Sequence, residues 1–247
     1  MVARKKDEGS LNPFWLGVAA AGLIAALGIV YLQTLPSPRL PLPIEILRRV
    51  AAVYLAVFKN FRVVHEEFVP DTGPLIIVSN HTAVYDPLGL QVACKHRWIR
   101  FMEAREYYKV WGMEGIYRML RVIPVNRTGN DVASIRTALR ELSNGGCIGI
   151  FPEGRISDDG QIHEARKGVA LLALMSNAVV VPGYFQGTRP YSGMIRDFFT
   201  RNRVTLQFGP PIRFDDLAGK DRDPECRELA LRRIMEGIVQ LRNASHR

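Results

Sequence analysis

Short β-branched runs alternate with candidate helices from about residue 62 onward, and this alternation limits the folds open to the chain. Each run has the length and composition of a buried strand. The runs lie at 61–64, 75–79, 98–102, 121–125, 147–151, 178–185 and 203–208. Helices are predicted at 87–95, 131–142, 166–177 and 224–243. Strands that alternate with helices predict an α/β fold, with a mostly parallel mixed sheet of about seven strands flanked by helices.

The N-terminal part of the chain has a different composition. A basic tail (1–12) precedes an uncharged apolar run at 13–35. A bilayer span takes about 20 residues, whereas the apolar region of a signal peptide takes only about 7–15. A signal peptide remains the alternative because basic residues precede the run, but its length favours a retained membrane anchor. The anchor either spans the bilayer or re-enters it.

Between the anchor and the α/β domain at 61–247, the segment 36–60 is predicted to hold a proline-rich linker and an amphipathic interfacial helix. Apolar residues recur there at helical spacing. They are Leu47, Val50, Ala51, Tyr54, Leu55 and Phe58. Two arrangements fit this stripe: a helix packed on the domain, or a helix lying in the membrane interface with basic residues toward lipid phosphates.

The formal net charge of +9 predicts an anionic partner, such as nucleic acid, an anionic membrane or a phosphorylated substrate. Arginines and aromatic residues are interspersed at 188–203. Beside a membrane anchor, this segment favours lipid head groups or the phosphates of coenzyme A over nucleic acid, and a solvated basic loop is the alternative. The 3 cysteines are widely spaced, which argues against a disulfide framework and against a cysteine metal site.

Polar residues follow three of the predicted strands. In open parallel sheets, ligands bind beyond the carboxyl ends of the strands. The polar residues at these ends include Asn80 and His81, Arg127, and Glu153, Gly154 and Arg155. If the strands are parallel and near one another, these side chains converge on one site.

His81 and Asp86 have the residue types of a general base and its orienting partner. A carboxylate fixes the tautomer of an imidazole and stabilises the imidazolium that forms when a proton is taken. The alternative is structural: Asp86 caps a helix whose first position is Pro87, and the histidine only packs nearby. The two interpretations are compatible in one structure.

The "FPEGR" turn combines a carboxylate with backbone N–H groups directly after a strand. Glu153 is suited to bind substrate hydroxyls, and N–H groups around Gly154 are suited to a developing oxyanion. The alternative is a tight turn in which Gly154 supplies a positive φ. Arg127 is suited to a phosphate because its planar guanidinium binds anions in a bidentate manner, and a surface ion pair is the alternative.

Taken in order and spacing, these motifs resemble those of the glycerolipid acyltransferase family, which includes the 1-acyl-glycerol-3-phosphate acyltransferases. The motifs are "NHTAVYD" with His81 and Asp86, "VIPVNR" with Arg127, "FPEGRIS" at 151–157 and "VVVPGYF" at 179–185. The resemblance covers roughly residues 60–210. An HxxxxD pattern alone is weak, but with FPEG further along the chain it is specific.

The resemblance implies an O-acyltransferase that moves an acyl group from acyl-CoA or acyl-ACP to a lysophospholipid, with 1-acyl-glycerol 3-phosphate as the first candidate acceptor and phosphatidic acid as its product. It implies that His81 deprotonates the acceptor hydroxyl while Asp86 orients it. The implied substrate-binding residues are Asn80, Arg127, Glu153, Gly154, Arg155 and Pro182, the last beside the acyl chain. It implies no metal and no bound cofactor. The implied partner is a lipid bilayer rather than nucleic acid, at the cell membrane with the catalytic domain facing the cytoplasm.

One departure from the family pattern affects the acceptor. The commoner third motif reads FPEGTRS, whereas here Arg155 stands one place early and Ile156 takes the usual arginine position. This variant resembles the acyltransferase part of enzymes that acylate lysophosphatidylethanolamine, so another lysophospholipid is the alternative acceptor. A non-catalytic lipid-binding protein and a metal-dependent hydrolase are the alternative classes. The remaining histidines lack metal-site spacing, which argues against the hydrolase.

Overall fold

The structure is a computed structural model that describes residues 40–109, 113–126, 131–188 and 193–245. All of them belong to one compact unit. Several predictions fall wholly or partly outside these ranges: the basic tail at 1–12, the membrane anchor at 13–35, the start of the proline-rich linker, the phosphate-binding Arg127 and part of the basic segment at 188–203. Among the described residues, no helix is both long enough and apolar enough to cross a bilayer.

Seven strands form one sheet in the order β1-β7-β6-β2-β5-β3-β4. The strands are β1 (Arg62–Val64), β2 (Leu75–Ser79), β3 (Ile99–Ala104), β4 (Ile123–Val125), β5 (Cys147–Ile150), β6 (Val179–Gln186) and β7 (Thr205–Phe208). Neighbouring strands are parallel except β6 and β7, which are antiparallel. The predicted mostly parallel mixed sheet is confirmed. The central strand β2 is buried along its whole length, which explains its unbroken apolar sequence.

The α-helices are α1 (Leu42–Lys59), α2 (Asp86–Ala93), α3 (Met113–Met119), α4 (Val132–Ser143), α5 (Gly168–Ser176), α6 (Met194–Phe199) and α7 (Pro224–Ser245). The helices α2, α4, α5 and α7 lie where the sequence predicts helices. The short α3 and α6 were not predicted, because six or seven residues carry too little periodicity to identify a helix.

Helices cover both faces of the sheet. On one face, α4, α5 and α7 pack on alternate residues of the central strands, such as Ile76 and Val78. On the other face, α1 and α2 pack on Leu75 and Ile77. The period of two along a strand sends successive side chains into different layers. Each layer has its own apolar core.

The amphipathic helix is present as α1, and its buried face combines most of the predicted apolar stripe with charged residues that were not predicted to be buried. The structure buries Glu45, Arg48 and Lys59, whereas Val50 of the predicted stripe is 54% exposed. Buried charges are tolerated when they are paired. Arg48 donates to Glu45 through Nε (2.9 Å) and Nη2 (2.8 Å), and Lys59 donates to two backbone carbonyls. Apolar side chains are thereby left on the outer face, namely Leu42, Ile46, Val50 and Val57.

Strand register brings two of the predicted polar strand ends together. Val78 of β2 pairs with Ile150 of β5, so both strands end at the same edge of the sheet. Ser79 of β2 also pairs with Gly183 of β6. In contrast, β4 lies at the end of the sheet, separated from β5 by β3. His81 and the turn at 151–157 therefore adjoin, while the end of β4 is two strands away from β5.

Candidate active site

His81 and Asp86 form a hydrogen-bonded pair just beyond the carboxyl end of β2. Nδ1 of His81 lies 3.0 Å from Oδ2 of Asp86, and the Asp86 side chain is fully buried. Because a carboxylate only accepts hydrogen bonds, Nδ1 carries the proton and Nε2 of the neutral ring is left as the acceptor. Within the described residues, no group hydrogen-bonds to Nε2. The pair has the arrangement that a general base requires.

Asp86 does not cap α2 in the way that the structural interpretation predicts. It is the first residue of the helix, and its carboxylate turns back to the preceding residues. Oδ2 accepts the backbone N–H groups of Thr82 and Ala83, each at 2.8 Å. The carboxylate therefore folds the five-residue turn after His81 and orients the imidazole with the same oxygen. Oδ1 is buried and has no hydrogen-bond partner.

Phe151, the first residue after β5, supports the ring of His81. The two rings stack with centroids 4.0 Å apart and an angle of 16° between their planes. This contact fixes the plane of the imidazole from one side, while Asp86 fixes its rotation. The sequence motif includes Phe151, but its contact with His81 was not predicted. The sequence could have indicated this contact, because side chains alternate between the two faces of a sheet along a strand. This alternation determines the face on which an apolar residue at the strand end packs.

Glu153 is buried beside His81. Oε2 accepts the backbone N–H of His163 at 3.2 Å, whereas Oε1 is buried without a partner. Burial raises the pKa of Glu153, and the backbone N–H groups of His163 and His81 lower it only in part. An unpartnered, desolvated carboxylate oxygen is suited to accept a hydrogen bond from a hydroxyl.

The turn after β5 places Gly154 and Arg155 differently from each other. Gly154 has a φ of +67°, a left-handed conformation that favours glycine, and a Cβ atom there would lie 2.6 Å from Nε of Arg166. Its N–H donates to the carbonyl of Phe151 at 2.9 Å. The N–H of Gly154 is therefore occupied within the turn, while the prediction concerned the N–H groups around this residue. Arg155 is exposed, while Ile156 is half-buried.

Asn80 and Pro182 occupy structural positions. The amide of Asn80 donates to the carbonyl of Phe185 (3.1 Å) and accepts its N–H (2.7 Å), which joins the end of β2 to β6. The ring of Pro182 packs closely against Gly209 and Gly237. A Cβ atom would lie only 3.0 Å from Cγ of Pro182 if it were added to Gly209, and 3.1 Å if it were added to Gly237. Side chains alternate between the two sheet faces along β6, which places Pro182 on the face covered by α7. His81 lies on the other face. The predicted contact of Pro182 with the acyl chain is not supported by this position.

One group of possible metal ligands occurs within the described residues. It consists of Asp158, Asp159 and His163, whose ligand atoms lie within 4.8 Å of one another. Asp158 and Asp159 are exposed, and Oδ1 of Asp159 already accepts three hydrogen bonds. Exposed acidic groups of this kind are common without an ion, and the group carries no metal assignment.

Comparisons with known proteins give a family match and several similar enzymes. Residues 60–186, slightly more than half of the chain, match the family described as Acyltransferase. The 1-acyl-sn-glycerol-3-phosphate acyltransferase of Bacillus subtilis (strain 168) is 28% identical over 188 residues, which cover 74% of this chain and 91% of that protein. The enzyme of the same name from Streptococcus pneumoniae is 28% identical over 170 residues, and the match spans 60% of its length.

A solved structure has the same fold. The crystal structure of the 1-acyl-sn-glycerophosphate acyltransferase from Thermotoga maritima superimposes with a TM-score of 0.61 at 19% identity, covering 93% of this chain and 92% of that one. At this identity the likeness concerns the fold alone. The family match spans residues 60–186, a range that includes His81, Asp86 and the turn after β5. The chain therefore belongs to the glycerolipid acyltransferase family.

Proposed function

We propose that this protein transfers an acyl group from acyl-CoA or acyl-ACP to the free hydroxyl of a lysophospholipid, with 1-acyl-glycerol 3-phosphate as the acceptor and phosphatidic acid as the product. The observation that carries the proposal is the His81–Asp86 pair, whose Nε2 is unbonded within the described residues and lies in the same site as the buried Glu153. The names of the two bacterial relatives support this acceptor.

In the proposed reaction, Nε2 of His81 takes the proton of the acceptor hydroxyl while the hydroxyl oxygen attacks the thioester carbonyl carbon of the acyl donor. The carbon–sulfur bond then breaks, and the imidazolium returns the proton to the departing thiolate. The negative charge of Asp86, 3.0 Å from Nδ1, stabilises the imidazolium between these two steps. One base and one positioned hydroxyl account for the transfer, so we propose that no metal or bound cofactor takes part. We therefore expect the transfer rate to be unchanged by EDTA, and a loss of transfer in EDTA would contradict this point.

The acceptor lipid is proposed to bind through its glycerol hydroxyl and its phosphate. Oε1 of Glu153 is the candidate acceptor for a glycerol hydroxyl, because it is buried and unpartnered beside His81. Arg155 is exposed at the rim of the site and makes no hydrogen bond or ion pair with a described residue, so it is a candidate for the phosphate. Arg127 lies outside the described residues and remains a predicted phosphate ligand.

Stabilisation of the tetrahedral oxyanion is proposed to come from backbone N–H groups of the turn after β5. Gly154 is not one of them, because its N–H donates to Phe151. Nor is Ser157, whose N–H donates to the carbonyl of His81 at 2.7 Å. The donors are therefore the other N–H groups of this turn.

A bilayer is the proposed partner, at the cell membrane with the catalytic domain on the cytoplasmic side. The outer face of α1 supports this: Leu42, Ile46, Val50 and Val57 are each at least 53% exposed. On α6, Phe199 is 68% exposed and packs edge-on against Phe58 of α1. Exposed apolar side chains on one helix face, downstream of a predicted anchor, are typical of a helix lying in the interface.

The test is an acceptor screen with purified full-length protein in lipid nanodiscs and radiolabelled palmitoyl-CoA. Lysophosphatidic acid, lysophosphatidylethanolamine and glycerol 3-phosphate are compared, and an acyl-ACP arm identifies the donor. We expect the highest kcat/KM with lysophosphatidic acid. A preference for lysophosphatidylethanolamine would assign the alternative acceptor, and no transfer with any pair would refute the enzymatic proposal.

His81→Ala in the same screen tests the mechanism. We expect a loss of transfer of about 10²–10⁴-fold, the usual contribution of a general base. His96→Ala is the matched control, because His96 is an exposed histidine outside the site. Equal activity of the two variants would contradict the role of His81.

A further inference from the structure

The loop between the turn after β5 and α5 contacts both parts of the proposed site through its backbone. The N–H of Ser157 donates to the carbonyl of His81 at 2.7 Å. Six residues later, the N–H of His163 donates to Oε2 of Glu153 at 3.2 Å. The shape of the segment 157–163 therefore sets where the base and the acceptor-binding carboxylate lie relative to each other.

The carboxylate of Asp159 holds this loop together. Its Oδ1 accepts three hydrogen bonds: from the Ser157 hydroxyl at 2.8 Å, from the Gln161 N–H at 2.9 Å and from the His163 ring at 2.9 Å. The bond from Gln161, followed by that from Ser157, lowers the pKa of Asp159 to about 2. Asp159 is thus ionised at neutral pH, when charge-assisted hydrogen bonds are strongest.

Two of the three donors belong to the residues that touch the site. Ser157 gives its hydroxyl to Asp159 and its N–H to His81. His163 gives its ring N–H to Asp159 and its backbone N–H to Glu153. The side chain of Asp159 is 52% exposed, so it contributes little to the core. Its hydrogen bonds instead join the two ends of the loop, at Ser157 and His163, which contact His81 and Glu153.

We propose that Asp159 is a positioning residue for acceptor binding, which fixes Ser157 and His163 so that their N–H groups hold His81 and Glu153 in place. This rests on the proposed function, because Glu153 is the proposed ligand of the acceptor hydroxyl. Asp159 itself makes no contact with the acceptor. A displaced loop shifts Glu153 away from the geometry that binds the hydroxyl, and small displacements in a site have large kinetic effects.

The kinetic test compares Asp159→Ala with Asp158→Ala in the full-length protein. Asp158 is an adjacent exposed aspartate whose side chain makes no hydrogen bond with a described residue, so its loss removes the same charge without breaking the network. For Asp159→Ala we expect the KM for lysophosphatidic acid to rise about tenfold while the KM for acyl-CoA stays unchanged. Asp158→Ala is expected to behave like the wild type.

Asp159→Asn tests whether positioning requires the hydrogen-bonding oxygen of Asp159 or its negative charge. Asparagine keeps an oxygen at the Oδ1 position and can retain the three hydrogen bonds without the charge. We expect this variant to recover most of the acceptor affinity. If Asp159→Asn were as impaired as Asp159→Ala, the positioning role would be contradicted in favour of a role for the charge alone.

Hydrogen exchange gives a readout that does not depend on activity. We expect Asp159→Ala to speed the exchange of the Ser157 and His163 amides and to leave the β2 amides protected. Unchanged exchange, or kinetics identical to those of Asp158→Ala, would overturn the inference. A wild-type protein without transfer activity would instead refute the proposed function, and the exchange experiment would still test whether Asp159 holds the loop.

Discussion

Asp86→Asn separates the structural role of Asp86 from its catalytic one. In the wild type, a single oxygen, Oδ2, accepts the hydrogen bonds of His81, Thr82 and Ala83. An asparagine can place its carbonyl oxygen at this position and keep all three. Its NH₂ group then occupies the position of Oδ1, which is buried and has no partner. The variant therefore removes the negative charge and retains the folded turn.

The expected loss in rate follows from the geometry. A carboxylate and an imidazolium whose charges are about 4 Å apart interact by about 4 kcal/mol at an effective dielectric constant of about 20. At about 1.4 kcal/mol per tenfold change, this corresponds to about 10³ in rate. Since the neutral hydrogen bond remains, we expect kcat to fall by about 10²–10³.

The stability of the fold is expected to change much less in this variant. One buried unpaired NH₂ group costs about 1–3 kcal/mol of unfolding free energy. Asp86→Ala is the comparison, because it leaves the N–H groups of Thr82 and Ala83 without an acceptor and costs about 2–6 kcal/mol.

The assays are urea unfolding followed by far-UV circular dichroism, and acyl transfer to lysophosphatidic acid under saturating conditions. Near-wild-type transfer by Asp86→Asn would show that Asp86 only braces the turn. Equal destabilisation by the asparagine and alanine variants would show that the hydrogen bonds to Oδ2 do not stabilise the turn as we infer.

Three further predictions concern the fold and its surface. Asn80→Ala leaves a β6 N–H and a β6 carbonyl unpaired, so urea unfolding should show a loss of about 2–6 kcal/mol. Asp131 caps α4, and Asp131→Ala should cost about 1 kcal/mol at neutral pH. Burial raises the pKa of Asp131, but two backbone N–H groups outweigh this and lower it, so its stabilisation is present above about pH 3.9 and disappears as the pH falls through the lowered pKa. A polarity-sensitive dye at Ile46→Cys, in a Cys226→Ser background, should shift to the blue with phosphatidylglycerol vesicles, whereas the same dye at the exposed Met175→Cys of α5 should not.

Each of these predictions has an outcome that contradicts it. Unchanged stability of Asn80→Ala would mean that water replaces both bonds to β6. A difference between Asp131→Ala and the wild type that persists in strong acid would contradict the cap. Equal dye shifts at Ile46 and Met175 would show that the outer face of α1 has no special affinity for lipid.

Parts of the site were predictable because they are local. The His81–Asp86 contact spans five residues and needs only one turn, so the motif implies it directly. This pair adjoins Glu153 because β2 and β5 are neighbouring strands. The sequence predicted that the side chains converge only if the strands are parallel and near one another. Which face of β6 carries Pro182 was not predictable, because a strand that is apolar throughout has no alternation to mark its two sides.

The burial of charged residues on the packed face of α1 was also beyond the sequence pattern. Periodicity places charged residues outside, yet Arg48 and Lys59 are buried. Their partners explain the difference. Glu45 neutralises Arg48 from within the helix, whereas Lys59 donates to the backbone carbonyls of Asp197 and Thr200, about 140 residues later in the chain. Such distant partners cannot be inferred from a local pattern.

Residue types at short spacing were enough to predict the order of the strands, the longer helices, the pairing of His81 with Asp86 and the family. Three features required the folded structure: the occupied N–H of Gly154, the position of Pro182 on the sheet face opposite His81, and the link that Asp159 makes between His81 and Glu153. The physical reason is that these contacts depend on strand register and on the course of a loop. Both are fixed by hydrogen bonds between residues that are distant in sequence or lie in irregular backbone, for which no periodic pattern exists.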